Sequence, residues 1–286
     1  MIYLFLVALL MQTNNQTNAA PSTQPVPAVP GATVVALAPT MTFLVVPDDL
    51  KLSDGTVDVL LHLKGSPQRV FQSLKSSNVS AIAIVVTDGG FSKAYTDRFA
   101  DPESLQWLLD EAMRIVRQRP DVPDDAKVGR LWISSFSAGY AAVRELLKHD
   151  RWFDRIDGLL MLDSIYAGYV SEQDRRPIPE QLAGYVRFAK AARDGTKTMI
   201  VTHTRLTPGS YASTWETADV LLAETGVEPT TEERELAPGL KSYRVASRGA
   251  FYVIGTVGED GGEHGRHLAN MALWVPKLVE RPQERR

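Results

Sequence analysis

From about Thr40 onward, short and almost wholly apolar runs alternate with longer stretches in which apolar residues recur every three or four positions. The short runs predict strands at Met41–Val46, Val57–Leu63, Ala81–Thr87, Arg130–Ser135, Gly158–Leu162, Thr198–His203 and Phe251–Val257. AIAIVV and GLLML contain no polar residue, which suits strands covered on both faces, as in a parallel sheet. Between them, Arg69–Ser76, Ser104–Gln118, Ala138–His149, Pro179–Arg193, Thr214–Glu224 and His267–Leu278 read as helices. In the second of these, Leu105, Leu108, Leu109, Ala112, Ile115 and Val116 fall on one face, and Pro120 and Pro123 stop the helix. Strand and helix alternate, so the expected fold class is α/β, a mostly parallel central sheet flanked by helices on both faces. Ligands bind such sheets beyond the carboxyl ends of the strands, and the residues just after each strand are the place to look for chemistry.

The N-terminus has a different pattern. Met1–Met11 (MIYLFLVALLM) is apolar, uncharged and too short to span a bilayer comfortably. Polar residues and then small ones follow, ending in Asn18-Ala19-Ala20. Residues 1–20 are therefore expected to be a signal peptide, and the protein secreted or periplasmic. Residues 21–39 (PSTQPVPAVPGATVVALAP, from Pro21) are rich in Pro, Ala, Ser and Thr and read as an extended linker. Residues 40–286 are expected to form one catalytic domain, with no membrane span once the signal is cleaved.

Composition narrows the partners. The 286 residues carry a formal charge of −3 with acidic and basic residues interspersed, so no basic stripe points to nucleic acid. With no cysteine there are no disulfides and no thiolate chemistry, and stability must come from the core.

The predicted strand Arg130–Ser135 runs into Phe136-Ser137-Ala138-Gly139 and then a helical pattern. Ser135-Phe136-Ser137-Ala138-Gly139 is similar to the G-x-S-x-G nucleophile elbow, with Ser in place of the first Gly. A sharp strand-to-helix turn lifts a hydroxyl above the sheet, and small residues two positions away let strand and helix close around it. Read without that context, Ser137 is an ordinary helix cap. With it, the chain resembles the α/β-hydrolase superfamily from roughly Met41 to Leu278.

The resemblance implies an α/β-hydrolase fold, a serine hydrolase that needs no cofactor, and a triad in the order Ser, acid, His. Carried onto this sequence, it makes Ser137 the nucleophile and Asp163, which ends the apolar run IDGLLMLD, the acid. The acid more often follows the next strand, but after TMIVTH no carboxylate is close. The base is His264, in the glycine-rich stretch GEDGGEHGRH after the last strand, with His267 as the alternate. By the same logic the backbone N–H of Ala138 is one oxyanion donor and that of Gly65 or Ser66, in His62-Leu63-Lys64-Gly65-Ser66, the other. His62, Gly90, Phe91, Tyr166, His203, Tyr211 and Trp215 lie at strand ends or in the stretches after them, including Asp88–Tyr95, Ser164–Tyr169 and His203–Trp215, and are candidates to line a pocket.

The expected reaction is hydrolysis of a carboxylic ester, small or polymeric, through an acyl-enzyme on Ser137. Amide cleavage by the same triad stays open. So do a metal hydrolase built on His264, His267, His203, Asp163 and Asp260, and a non-catalytic binding protein on the same fold. Between Tyr166 and Lys197 there is room for one helix and a charged loop only, which implies an open site.

Overall fold

A computed structural model describes residues 25–37, 41–89 and 91–280. Ten strands form one sheet: β1 (Ala32–Leu37), β2 (Thr42–Pro47), β3 (Thr56–Leu63), β4 (Ile82–Val86), β5 (Lys127–Phe136), β6 (Gly158–Leu162), β7 (Thr198–His203), β8 (Thr230–Ala237), β9 (Leu240–Arg248) and β10 (Phe251–Thr256). Their spatial order is β1-β2-β4-β3-β5-β6-β7-β10-β9-β8. The six strands from β4 to β10 in that order are parallel, and an antiparallel pair closes each end. The helices are α1 (Pro67–Ser76), α2 (Ser92–Phe99), α3 (Glu103–Val116), α4 (Tyr140–Leu146), α5 (Asp150–Arg155), α6 (Pro179–Arg193), α7 (Thr214–Thr225), α8 (Gly261–Ala269) and α9 (Val275–Val279). This is the expected α/β architecture, a mostly parallel sheet with helices on both faces.

Period-two alternation sends successive strand residues to opposite faces. Leu61, Ile84, Ile133, Leu159, Met161 and Val201 join one core with side chains from α2 to α7. Leu60, Ala83, Val85, Trp132, Leu160 and Ile200 join a second with Val70, Phe71 and Leu74 of α1 and Val275 and Leu278 of α9. Strands buried on both faces are predominantly apolar, which is why these were the ones visible in the sequence.

The structure corrects several expectations. Ala32–Leu37, assigned to a linker, is a strand that pairs antiparallel with β2 along its whole length. The strands β8 and β9 and the short helices α2 and α5 were not foreseen. The sequence of β8, TTEERELA, is mostly exposed at the sheet edge, so backbone pairing alone makes it a strand. The helix expected at His267–Leu278 is two helices, α8 and α9, joined by a 3-10 turn, and α8 begins at Gly261 inside the expected loop. The proposed signal residues 1–20 lie outside the described residues. No helix among the described residues is long and apolar enough to cross a membrane.

Close packing around the β5–α4 turn leaves no room for a side chain at Gly139. A Cβ there would stand 2.6 Å from the Leu63 carbonyl oxygen and 2.8 Å from Ser135 Oγ. Gly265, inside α8, would meet nothing within 4 Å. Gly139→Ala is therefore expected to destabilise the fold by about 1–3 kcal/mol, and Gly265→Ala to stabilise it by roughly 0.5–1 kcal/mol. Urea unfolding of the two variants beside wild type checks both signs.

Candidate active site

Phe136 and Leu162 are register partners at the ends of β5 and β6, so Ser137 and Asp163 leave adjacent strands at the same level. Both have left-handed backbones, φ 52° at Ser137 and 46° at Asp163, which non-glycine residues rarely adopt. Ser137 opens a 3-10 turn, Ser137–Gly139, that runs directly into α4. The serine in place of the elbow's first glycine has its own part in this turn. Ser164 Oγ donates to the Ser137 carbonyl at 2.8 Å, and its one proton being spent, Ser135 Oγ donates to Ser164 Oγ at 2.7 Å.

Asp163 is fully buried and saturated with donors. Its Oδ1 accepts from the Thr204 N–H at 3.0 Å and from Thr214 Oγ1. Its Oδ2 accepts from Thr204 Oγ1 at 3.0 Å and from His264 Nδ1 at 2.6 Å. Burial alone would raise its pKa. The His264 hydrogen bond, the nearby His267 and Thr214 outweigh that and hold it at about 2. An ionised carboxylate only accepts, so a proton sits on Nδ1 of His264.

His264 does not end a loop as expected: it lies on α8, whose N-cap Asp260 accepts from the Glu263 N–H. Its ring stacks on Phe136 with centroids 4.5 Å apart. Ser137, Ala138 and His264 line one cavity of about 730 Å³. The alternate His267 is buried, with Nδ1 2.6 Å from Thr202 Oγ1 and Nε2 3.1 Å from Thr256 Oγ1, so both ring nitrogens are engaged inside the fold.

The other expected residues divide. Phe91, Tyr166 and Tyr211 line the cavity, whereas His62, Gly65, Ser66, His203 and Trp215 are not among its lining residues. Gly90 lies outside the described residues. His62 is buried behind the elbow, with Nδ1 2.6 Å from Ser134 Oγ. Ser66 caps α1 by accepting from the Arg69 N–H, and the Gly65 carbonyl accepts from Thr87 Oγ1 at 2.6 Å. Trp215 hydrogen-bonds to Thr207.

His203 is neutral and built into a chain that reaches Asp163. Its Nδ1 donates to the Thr204 carbonyl at 2.9 Å, and its Nε2 accepts from Arg244, which also pairs with Asp219 at 2.6 Å. The histidines named for the metal alternative have other partners: His203 bonds Thr204 and Arg244, His264 bonds Asp163, and His267 bonds Thr202 and Thr256. No group of three or more His, Asp or Glu among the described residues is arranged to hold a metal ion. Ser92, Leu206 and Pro208 line the cavity from the expected stretches Asp88–Tyr95 and His203–Trp215, whereas Tyr140 lines it without having been foreseen. The clamp of Thr204 and Thr214 on Asp163 was also unforeseen. Phe136, the variable residue before Ser137, gave no signal either.

Three buried histidines give the fold a defined response to acid. Burial lowers His62 and His267 from 6.5 to about 4, and burial with the Arg244 charge lowers His203 to about 3. The folded form therefore binds fewer protons than the unfolded one between pH 6.5 and these values, and stability falls as pH falls through that window. The expected slope is on the order of 1 kcal/mol per pH unit for each histidine. Asp163 works in a lower window: its contribution is complete above about pH 4 and lost as pH falls through about 2. Urea unfolding at pH 7, 6 and 5 measures the first slope, and equal stabilities would show that these histidines are not buried neutral. Thr214→Val, which removes a donor from the buried carboxylate, is expected to cost about 1–3 kcal/mol in the same assay at pH 7.

No protein-family model matches the sequence, and no curated protein matches it. Among solved structures, the chain is similar to a double mutant of the esterase rPPE, at 11% identity over 90% of this chain and 86% of the other, with a TM-score of 0.49. It is also similar to the feruloyl esterase module from Clostridium thermocellum, at 8% identity over 90% and 91% of the two chains and a TM-score of 0.49. A third is a thermostable esterase from Pseudomonas putida, at 14% identity over 91% and 86% and a TM-score of 0.47.

Proposed function

We propose that the protein is an exported serine hydrolase that cleaves carboxylic esters through an acyl-enzyme on Ser137. One observation carries the reading: Ser137, on a left-handed turn after β5, shares a cavity with His264, whose Nδ1 is bonded to the buried carboxylate of Asp163.

The reading assigns each group one task. Ser137 Oγ attacks the ester carbonyl carbon while His264 Nε2 takes its proton. Asp163 keeps the ring in the tautomer that leaves Nε2 free and stabilises the imidazolium that forms. The N–H of Ala138, at the head of the helical run beneath the turn, receives the charge that develops on the carbonyl oxygen. Gly65 is the proposed second donor: its loop abuts the elbow, since the Leu63 carbonyl sits where a side chain at position 139 would stand. As the tetrahedral intermediate collapses, His264 returns the proton to the leaving alcohol. A water activated by the same nitrogen then attacks the acyl carbon and frees Ser137. The export part of the proposal rests on the pattern of residues 1–20.

The test is a fluorophosphonate probe and short p-nitrophenyl esters on wild type, Ser137→Ala and Asp163→Asn. Wild type should label at Ser137 and turn over the esters. Ser137→Ala should not label and should lose on the order of 10⁴-fold or more in kcat. Asp163→Asn should label slowly, with a loss of comparable size. Equal labelling of wild type and Ser137→Ala would return Ser137 to a structural cap. Cleavage of matched anilides at rates equal to the esters would move the reading to an amidase.

A further inference from the structure

The cavity beside Ser137 and His264 has a composition that narrows the substrate. Tyr140 at the start of α4, Tyr166 in the loop after β6 and Tyr211 in the loop after β7 all line it. The rings form an edge-to-face series, with centroids 5.3 Å apart between Tyr140 and Tyr166 and 5.5 Å between Tyr166 and Tyr211. Leu206 and Pro208 complete the apolar wall. Phe91, before the first turn of α2, stands at the mouth with 83% of its surface exposed, and Tyr211 is 44% exposed. Large rings exposed together at the rim of a cavity offer apolar surface for a ligand to cover.

Charge is missing from the same wall. Among the described lining residues there is no Lys, Arg, Asp or Glu, and the polar groups are serine and tyrosine hydroxyls and His264. Burial pushes the Tyr166 and Tyr211 phenols up, so they stay neutral at working pH. A charged substrate group would lose its water in this cavity without gaining a partner. A flat ring, in contrast, meets the faces and edges of several others in the arrangement that aromatic pairs prefer.

We infer that the group bound in this cavity is a neutral aromatic ring attached to the scissile ester, held among Tyr140, Tyr166, Tyr211 and Phe91. The inference rests on the reading of Ser137 and His264 as an ester-hydrolase pair. At about 730 Å³ the cavity is large enough for a ring together with a short linker to the ester.

The experiment compares matched esters that differ only in whether the ring is aromatic or saturated. On the acyl side these are methyl 3-phenylpropanoate and methyl 3-cyclohexylpropanoate. On the alcohol side they are benzyl acetate and cyclohexylmethyl acetate, with each rate corrected for alkaline reactivity. The aromatic member of at least one pair should have a kcat/KM higher by on the order of tenfold, and the pair that responds shows which side of the ester the cavity takes. Tyr211→Leu and Tyr140→Leu should each bring that ratio toward one. Equal rates in both pairs overturn the inference, as do a ratio that neither variant moves and a probe-labelled enzyme that cleaves none of the four esters. Failure of the probe to label Ser137 instead overturns the hydrolase reading, so the two failures are distinct.

Discussion

The site depends on one carboxylate held without water. Asp163 is fully buried, and four groups on three segments donate to it: the Thr204 N–H and hydroxyl, the Thr214 hydroxyl and His264 Nδ1. An isolated charge at that depth would be prohibitive. The donors reverse the sign of the burial effect and hold the group ionised. Because these donors lie after β7, at the start of α7 and on α8, satisfying Asp163 also fixes the loops that wall the cavity. His203 and Arg244 extend the clamp to β9, an element that lines no part of the cavity.

Around that charge, the backbone is held in conformations it would not choose. Ser137 and Asp163 are both left-handed, at a cost of about 1–3 kcal/mol each. The hydroxyls of Ser135 and Ser164 tie the Ser137 carbonyl in place, and Gly139 lets the elbow close onto Leu63. The serine that departs from the usual elbow glycine is therefore integrated into the turn.

What the sequence made legible follows from burial. β6 and β7 match their expected ranges because each is buried on both faces around an apolar centre, and α6 matches because Pro179 starts it and the capped end after Arg193 stops it. The elements at the margins were hidden. β8 is charged, β1 sits in Pro- and Ala-rich sequence, and α2 and α5 are too short to show a period. Of the candidate site, the grouping of Ser137, Asp163 and His264 was legible because each follows a recognisable strand in a recognisable order. Thr204, Thr214 and Phe136 were not, since a threonine that clamps a carboxylate looks no different in sequence from one that faces water. His62 and His203 were misjudged for the reverse reason: a histidine at a strand end resembles a pocket residue until its ring is seen inside the core, His62 with Nδ1 on Ser134 and His203 with both nitrogens engaged.

The helix that carries His264 has the sequence GGEHGRHLA, with glycine at three of nine positions. Nine residues of that composition have no reason to stay helical by themselves. What retains α8 is its side chains: Asp260 at its head, His264 on Asp163, and His267 between Thr202 and Thr256. Helix and carboxylate thus form one cooperative unit. A local opening of α8 would take both histidines away together and uncover the carboxylate that His264 meets, without breaking any pairing between the parallel strands. The fold thus allows two thresholds of disorder, a low one that dismantles the candidate site and a high one that dismantles the sheet.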